Sequence, residues 1–295
     1  MSAELTEQVC GSKPLVRSAR TSKFCLSTRR ASCLWSALKL TMRASHFATA
    51  LLLTASVALA APTVDPLTES APALANRPAD PIPRDGEIII VIGGVSLMAW
   101  EKFKAQPHDN WWANFVRAGR IRTQQIREVA PTVLVTWLVY KPSYVARAKP
   151  EGRDLLPFID SVGETYNCKI VYFSRTQELI DYMNNGSPDR PRSQMKIASW
   201  EFFGHSNKAC LMFDYSNNLD SGSKCWLHEK ELGQIHRGIF TRNAFVKSWG
   251  CYCGELFVKS WYKATGTRMW GAIGKTQYMT EELPVLAKID GRWVR

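Results

Sequence analysis

From residue 86 onward, short apolar runs alternate with stretches whose apolar residues recur at helical spacing. The runs cover 87–92, 133–140, 169–173, 195–203, 244–249 and 267–272. Near-continuous apolar runs of this length suit strands buried on both faces. Helical spacing covers 111–128, 176–184, 227–235 and 254–264, and Asn185-Gly186 supplies a stop signal after the second of these. The alternation predicts an α/β domain, a three-layer sandwich around a mainly parallel sheet of six strands. In open sheets of this kind ligands sit outside the carboxyl ends of the strands. The residues that follow each run are therefore where chemistry is expected.

The first part of the chain reads differently. From Met42, Arg43 gives a short basic start, 47–57 is apolar, and Ala58-Leu59-Ala60 precedes Ala61. That is the pattern of a secretory signal peptide with an A-x-A cleavage site. Residues 42–60 are expected to be removed, 1–41 to lie upstream of the true start, and the mature protein to be secreted or periplasmic. An organellar transit peptide is the rival reading, because 13–45 is rich in Arg, Lys and Ser and has no acidic residue. The apolar run is about 15 residues, short of the roughly 20 that a spanning helix needs, so no integral membrane segment is expected after cleavage. Residues 61–85 hold Pro62, Pro66, Pro72, Pro78, Pro81 and Pro83 and read as an extended linker, which leaves 86–295 as the folded domain.

Composition narrows the function classes. Hydrophobic residues at 45% and charged residues at 22% exclude a wholly disordered chain. The net charge of +12 overstates the basicity of the mature protein, because residues 1–60 carry eight Lys/Arg and two Asp/Glu. The remainder is 38 − 8 = 30 against 26 − 2 = 24, or +6, with no dense basic run. A nucleic-acid partner is therefore not expected. Five cysteines follow residue 61: Cys168, Cys210, Cys225, Cys251 and Cys253. An odd number in an exported protein allows at most two disulfides and a free thiol. Cys210 and Cys225 flank a loop and form a candidate pair.

The fourth run ends in Phe203-Gly204-His205-Ser206, and the fifth in Trp249-Gly250-Cys251-Tyr252-Cys253-Gly254. Adjacent parallel strands thus present a histidine and a cysteine at one edge. A thiol–imidazole pair is what nucleophilic acyl transfer needs, since imidazole takes the thiol proton and returns it to the leaving amine. A helix from Gly254 would place its N-terminal N–H groups near Cys251. Other readings stay open: both cysteines as disulfide partners, a zinc site from Cys251, Cys253, His205 and Cys210, or a Cys-x-Cys redox pair. Ile92-Gly93-Gly94 lacks the third glycine of a dinucleotide fingerprint and the lysine of a P-loop, and reads as a tight turn. Trp111-Trp112 is either a stacking platform or helix packing.

The strand–Gly-His and strand–Gly-Cys-x-x-Gly pair, in that order, resembles the caspase-like (clan CD) cysteine peptidases, a group that includes metacaspases, gingipains and legumain. The segment Thr265-Gly266-Thr267-Arg268-Met269-Trp270-Gly271-Ala272 resembles bacterial members of the same fold, and the likeness spans about residues 86–275. It implies a caspase-like fold with His205 as general base and Cys251, rather than Cys253, as nucleophile, because Cys251-Tyr252-Cys253-Gly254 has the Cys-x-x-Gly spacing. It also implies the backbone N–H groups of Ser206 and Cys251 as oxyanion donors, no cofactor, no metal, and a peptide or protein substrate. Ser206 stands where the family usually has glycine. Asp214, Asp220 and Glu255 are candidates for holding a basic substrate side chain. The expected activity is that of an exported cysteine endopeptidase; the alternative is a catalytically silent caspase-like domain that binds a peptide or a cell-envelope partner. Oligomeric state is not readable.

Overall fold

The computed structural model describes residues 80–95, 111–214, 225–278 and 281–295. The signal-peptide and most of the linker assignments lie outside the described residues. The elements run β1 (Glu87–Ile92), α1 (Asn114–Val129), β2 (Leu134–Tyr140), α2 (Lys141–Glu151), α3 (Leu156–Tyr166), β3 (Lys169–Phe173), α4 (Thr176–Asn185), β4 (Gly186–Ser187), β5 (Arg190–Pro191) and β6 (Ile197–Phe203). They continue with β7 (His205–Ser206), β8 (Cys210–Met212), β9 (Trp226–His228), β10 (Phe240–Ser248), α5 (Phe257–Thr265), β11 (Gly271–Ile273), β12 (Thr276–Gln277), β13 (Val285–Leu286) and β14 (Arg292–Val294).

Five strands form one parallel sheet in the order β10-β6-β1-β2-β3. The chain builds outward from β1 to β3, then returns to the other side of β1 with β6 and β10. The switch between β1 and β6 opens the crevice where α/β sheets hold ligands. β1 shows why the runs are continuous. Ile88, Ile90 and Ile92 join the core cluster that holds α1, α2 and α3, whereas Ile89 and Val91 join the cluster on the other face, and all five are fully buried. Each such side chain contributes about 1.5–3 kcal/mol by leaving water.

The sixth expected strand, 267–272, does not extend this sheet as a ladder. It supplies one parallel bridge, Lys247 to Trp270, after which β11 turns away to pair antiparallel with β14. The helix expected over 227–235 is also replaced. Leu227 lies opposite Leu211 in the β8–β9 ladder, and a 3₁₀ turn, Glu229–Gln234, follows. A reciprocal cap makes that turn: the His228 ring accepts the Lys230 N–H at 3.2 Å, and Glu231 accepts the His228 N–H at 2.8 Å. Two helices, α2 and α3, were not expected. Each carries a proline in its first turn, where the missing N–H costs nothing.

Contacts of the domain begin ahead of Gly86. Asp80 forms an ion pair with buried Lys247 at 3.0 Å, the Pro81 carbonyl accepts from Arg122 at 2.9 Å, and Ile82 packs on the core. Lys247 also lies 3.5 Å from the centre of the Trp249 ring. Buried Arg122 pairs with Glu201 at 2.8 Å, and Glu201 accepts the Trp249 indole N–H at 3.0 Å. These charges fix the strand that leads to Cys251.

Candidate functional site

At the carboxyl end of the sheet three strand tips meet through glycine. The Gly93 N–H donates to the Phe203 carbonyl at 2.8 Å and the Trp249 N–H to Phe202 at 2.9 Å, so β1, β6 and β10 end level with one another. A Cβ on Gly250 would collide with the Ser206 side chain, and one on Gly93 would lie 3.2 Å from the Gly204 Cα. Glycine at both positions is what lets the turns approach. The Ser206 hydroxyl then donates to the Cys251 carbonyl at 2.6 Å, which ties the histidine turn to the cysteine turn directly.

His205 is half-buried, and its turn pairs antiparallel with β8, His205 opposite Met212. Its imidazole meets the Phe115 ring edge-on at 4.9 Å, and Phe115 in turn meets Tyr278 at 4.8 Å. The Tyr278 hydroxyl accepts the Gly204 N–H at 2.9 Å. Cys251 is half-buried as well. Its Sγ receives the Thr276 N–H at 3.4 Å and lies 3.5 Å from the Thr276 hydroxyl, which itself donates to the Trp249 carbonyl at 2.8 Å.

The two cysteines of the Cys-x-Cys sequence occupy opposite environments. Cys253 is fully buried, with its Sγ 3.5 Å from the Gly250 carbonyl, and burial pushes its thiol up. Between them Tyr252 adopts a left-handed conformation with φ 59°, which bends the chain between the two cysteines. The helix that follows starts at Phe257 rather than Gly254, and the Phe257 N–H donates to the Lys208 carbonyl at 2.8 Å. A turn over 252–256 separates Cys251 from the helix N-terminus, because Glu255 N–H bonds back to the Tyr252 carbonyl at 3.1 Å. The helix therefore does not aim its first N–H group at the thiol.

The acidic candidates have other work. Asp214 is buried and accepts the Tyr140 hydroxyl at 3.3 Å. Glu255 pairs with Lys208 at 2.7 Å, and Asp220 lies outside the described residues. No disulfide forms among the described residues. The β8–β9 ladder sets Cys210 opposite His228, whereas the Cys225 carbonyl accepts the Phe213 N–H at the other end of the pair. That offset is three residues, roughly 10 Å at 3.3 Å per residue, and a disulfide spans far less. Among the described residues no cluster of three or more His, Cys, Asp or Glu would hold a metal. No described helix is long and apolar enough to cross a membrane. The Gly94 N–H donates to the Phe213 carbonyl at 2.6 Å, so the turn after β1 is held by protein. Trp112 packs in the core against Phe158, and exposed Trp111 lies under Arg117 at 4.7 Å.

Sequence reasoning missed Thr276, Tyr278 and Phe115, which contact the two turns from distant segments. No protein-family model, curated protein or solved structure matches the chain.

Proposed function

We propose that the protein is an exported, caspase-like cysteine endopeptidase working through His205 and Cys251. The observation that carries this reading is the 2.6 Å bond from the Ser206 hydroxyl to the Cys251 carbonyl, since it fixes the histidine and cysteine turns side by side at one end of the sheet. In the reaction, imidazole takes the Cys251 thiol proton and the sulfur bonds to the substrate carbonyl carbon. The C–N bond then breaks as His205 protonates the amine, and water hydrolyses the thioester, releasing the acid and restoring the thiol. Backbone N–H groups of Ser206 and Cys251 are the proposed oxyanion donors. The finer fold assignment, with 267–272 as a sixth strand position beside β10, belongs to the same proposal and is supported by the Lys247–Trp270 bridge.

One observation favours the second reading, a silent domain that binds a peptide or cell-envelope partner: the first N–H of α5 is taken by the Lys208 carbonyl and does not serve the thiol. Labelling the full chain with a peptidyl acyloxymethyl ketone and mapping the modified cysteine separates the two. The peptidase reading expects label on Cys251 and its loss in His205→Ala. Label on Cys253, or none at all, favours the silent domain.

A further inference from the structure

The proposed dyad stands on two turns from different strands, so something must set them relative to each other to within a fraction of an ångström. The C-terminal segment 276–278 touches both. Thr276 and Tyr278 are two residues apart at the end of β12, a spacing that puts their side chains on one face of an extended chain. Thr276 holds the cysteine turn at two points, through its hydroxyl on the Trp249 carbonyl at 2.8 Å and its N–H on the Cys251 sulfur at 3.4 Å. A threonine hydroxyl has one proton, and here it lies on the Trp249 carbonyl. The thiol also lies 3.5 Å from Oγ1 and 3.8 Å from the Thr276 carbonyl oxygen. Thr276 thus surrounds the sulfur with its N–H, its hydroxyl and its carbonyl.

Tyr278 holds the histidine turn. It is buried, and its hydroxyl accepts the N–H of Gly204, the residue just before His205. Its ring meets Phe115, which also meets the His205 imidazole. Burial pushes the Tyr278 phenol well up, so it stays a neutral hydroxyl bonded to the backbone.

We infer that Thr276 and Tyr278 are positioning residues, and that segment 276–278 is a bracket which registers the cysteine turn against the histidine turn. The inference rests on the reading of His205 and Cys251 as a dyad. Misplacing a reacting group by about 1 Å costs on the order of 100-fold in rate, so the bracket matters to chemistry even where it matters little to folding.

The test is the iodoacetamide alkylation rate of Cys251 in the full chain, with the modified site mapped by mass spectrometry and melting temperatures recorded. Thr276→Val removes the hydroxyl and keeps the shape; Thr276→Ser keeps the hydroxyl; Tyr278→Phe keeps the ring and removes the acceptor. The expectation is that Thr276→Val and Tyr278→Phe each lose about tenfold or more of the part of the rate that His205→Ala abolishes. Thr276→Ser should stay within about threefold of wild type, the rescue expected where a hydroxyl rather than mere packing is what positions the thiol. A fast, histidine-dependent wild type with Thr276→Val and Tyr278→Phe both unchanged overturns the bracket and leaves the dyad standing. A wild type that reacts slowly and ignores His205→Ala overturns the dyad and the bracket together.

Discussion

The two ends of the central sheet solve opposite problems. At the amino end, Glu87 is 2% exposed, and its carboxylate takes the Thr136 hydroxyl at 2.6 Å, the Tyr182 hydroxyl at 2.7 Å and the Arg192 guanidinium at 2.6 Å. Arg192 in turn donates to the Met183 and Met195 carbonyls, both at 2.9 Å. A buried charge is tolerated when its lone pairs and protons are matched in this way. At the carboxyl end the chain does the reverse. It spends glycines on close turns, holds Tyr252 at positive φ, and leaves His205 and Cys251 half-exposed. At one end the buried carboxylate is paired within the protein; the other keeps a histidine and a cysteine within reach of solvent. The difference teaches where to look for function in an open sheet: at the end where reactive side chains stay within reach of solvent.

The largest expected effect is at the carboxyl end. On the proposed peptidase reading, Cys251→Ala should lower activity on the order of 10⁴-fold or more, with little change in melting temperature. Initial rates on a peptide library and a thermal melt check both halves of that statement. A large drop in melting temperature would mean the cysteine turn is structural, and the contrast between the two ends would collapse.

Next in size is the amino end. Arg192→Ala leaves the Glu87 carboxylate buried without its cation, which costs about 3–5 kcal/mol. Urea unfolding should show that loss, while Cys251 alkylation in the folded fraction keeps its wild-type rate. A cost below about 1 kcal/mol would show that the Glu87 network is not what secures this end. The double change Glu87→Gln with Arg192→Met should recover much of the loss, because removing both charges removes the need for pairing.

The same contrast explains what the sequence made legible. Five strands were readable because a parallel sheet covered on both faces demands unbroken apolar runs, and β3 has the very limits of its run, 169–173. Helices α2 and α3 were hidden because their first-turn prolines read as breakers until the chain around them is seen. Leu227 misled in the other direction. Its spacing to Leu232 and Ile235 suggests a helix, but tertiary pairing with Leu211 makes it strand. At the site, the strand-end rule picked out His205 and Cys251, since both follow unbroken apolar runs. Thr276 is 25 residues from Cys251 and Tyr278 is 74 from Gly204, and no local pattern announces such contacts. The displaced start of α5 escaped for a related reason: a tight turn held by backbone bonds over 252–256 looks, in sequence, like the first turn of the helix.

The smallest expected effect tests whether the carboxyl end stores backbone strain. Tyr252 and Asn167 are the non-glycine residues with positive φ among the described residues. Asn167 caps a helix, where a left-handed asparagine is common. Tyr252 has no such excuse: a left-handed conformation costs an L residue with a Cβ about 1–2 kcal/mol. Tyr252→Ala keeps the Cβ and therefore the strain, whereas Tyr252→Gly removes both. Glycine loses about 0.5–1 kcal/mol to the greater freedom of the unfolded chain, so the gain is partly offset. The glycine variant should still unfold at higher urea than the alanine variant, by up to about 1 kcal/mol. That order is the reverse of what the same pair gives inside a helix or strand, where alanine wins. If alanine is the more stable here too, Tyr252 is unstrained in solution, and the turn that separates Cys251 from Cys253 owes its shape to the Tyr252 N–H bond to the Gly274 carbonyl at 2.8 Å instead.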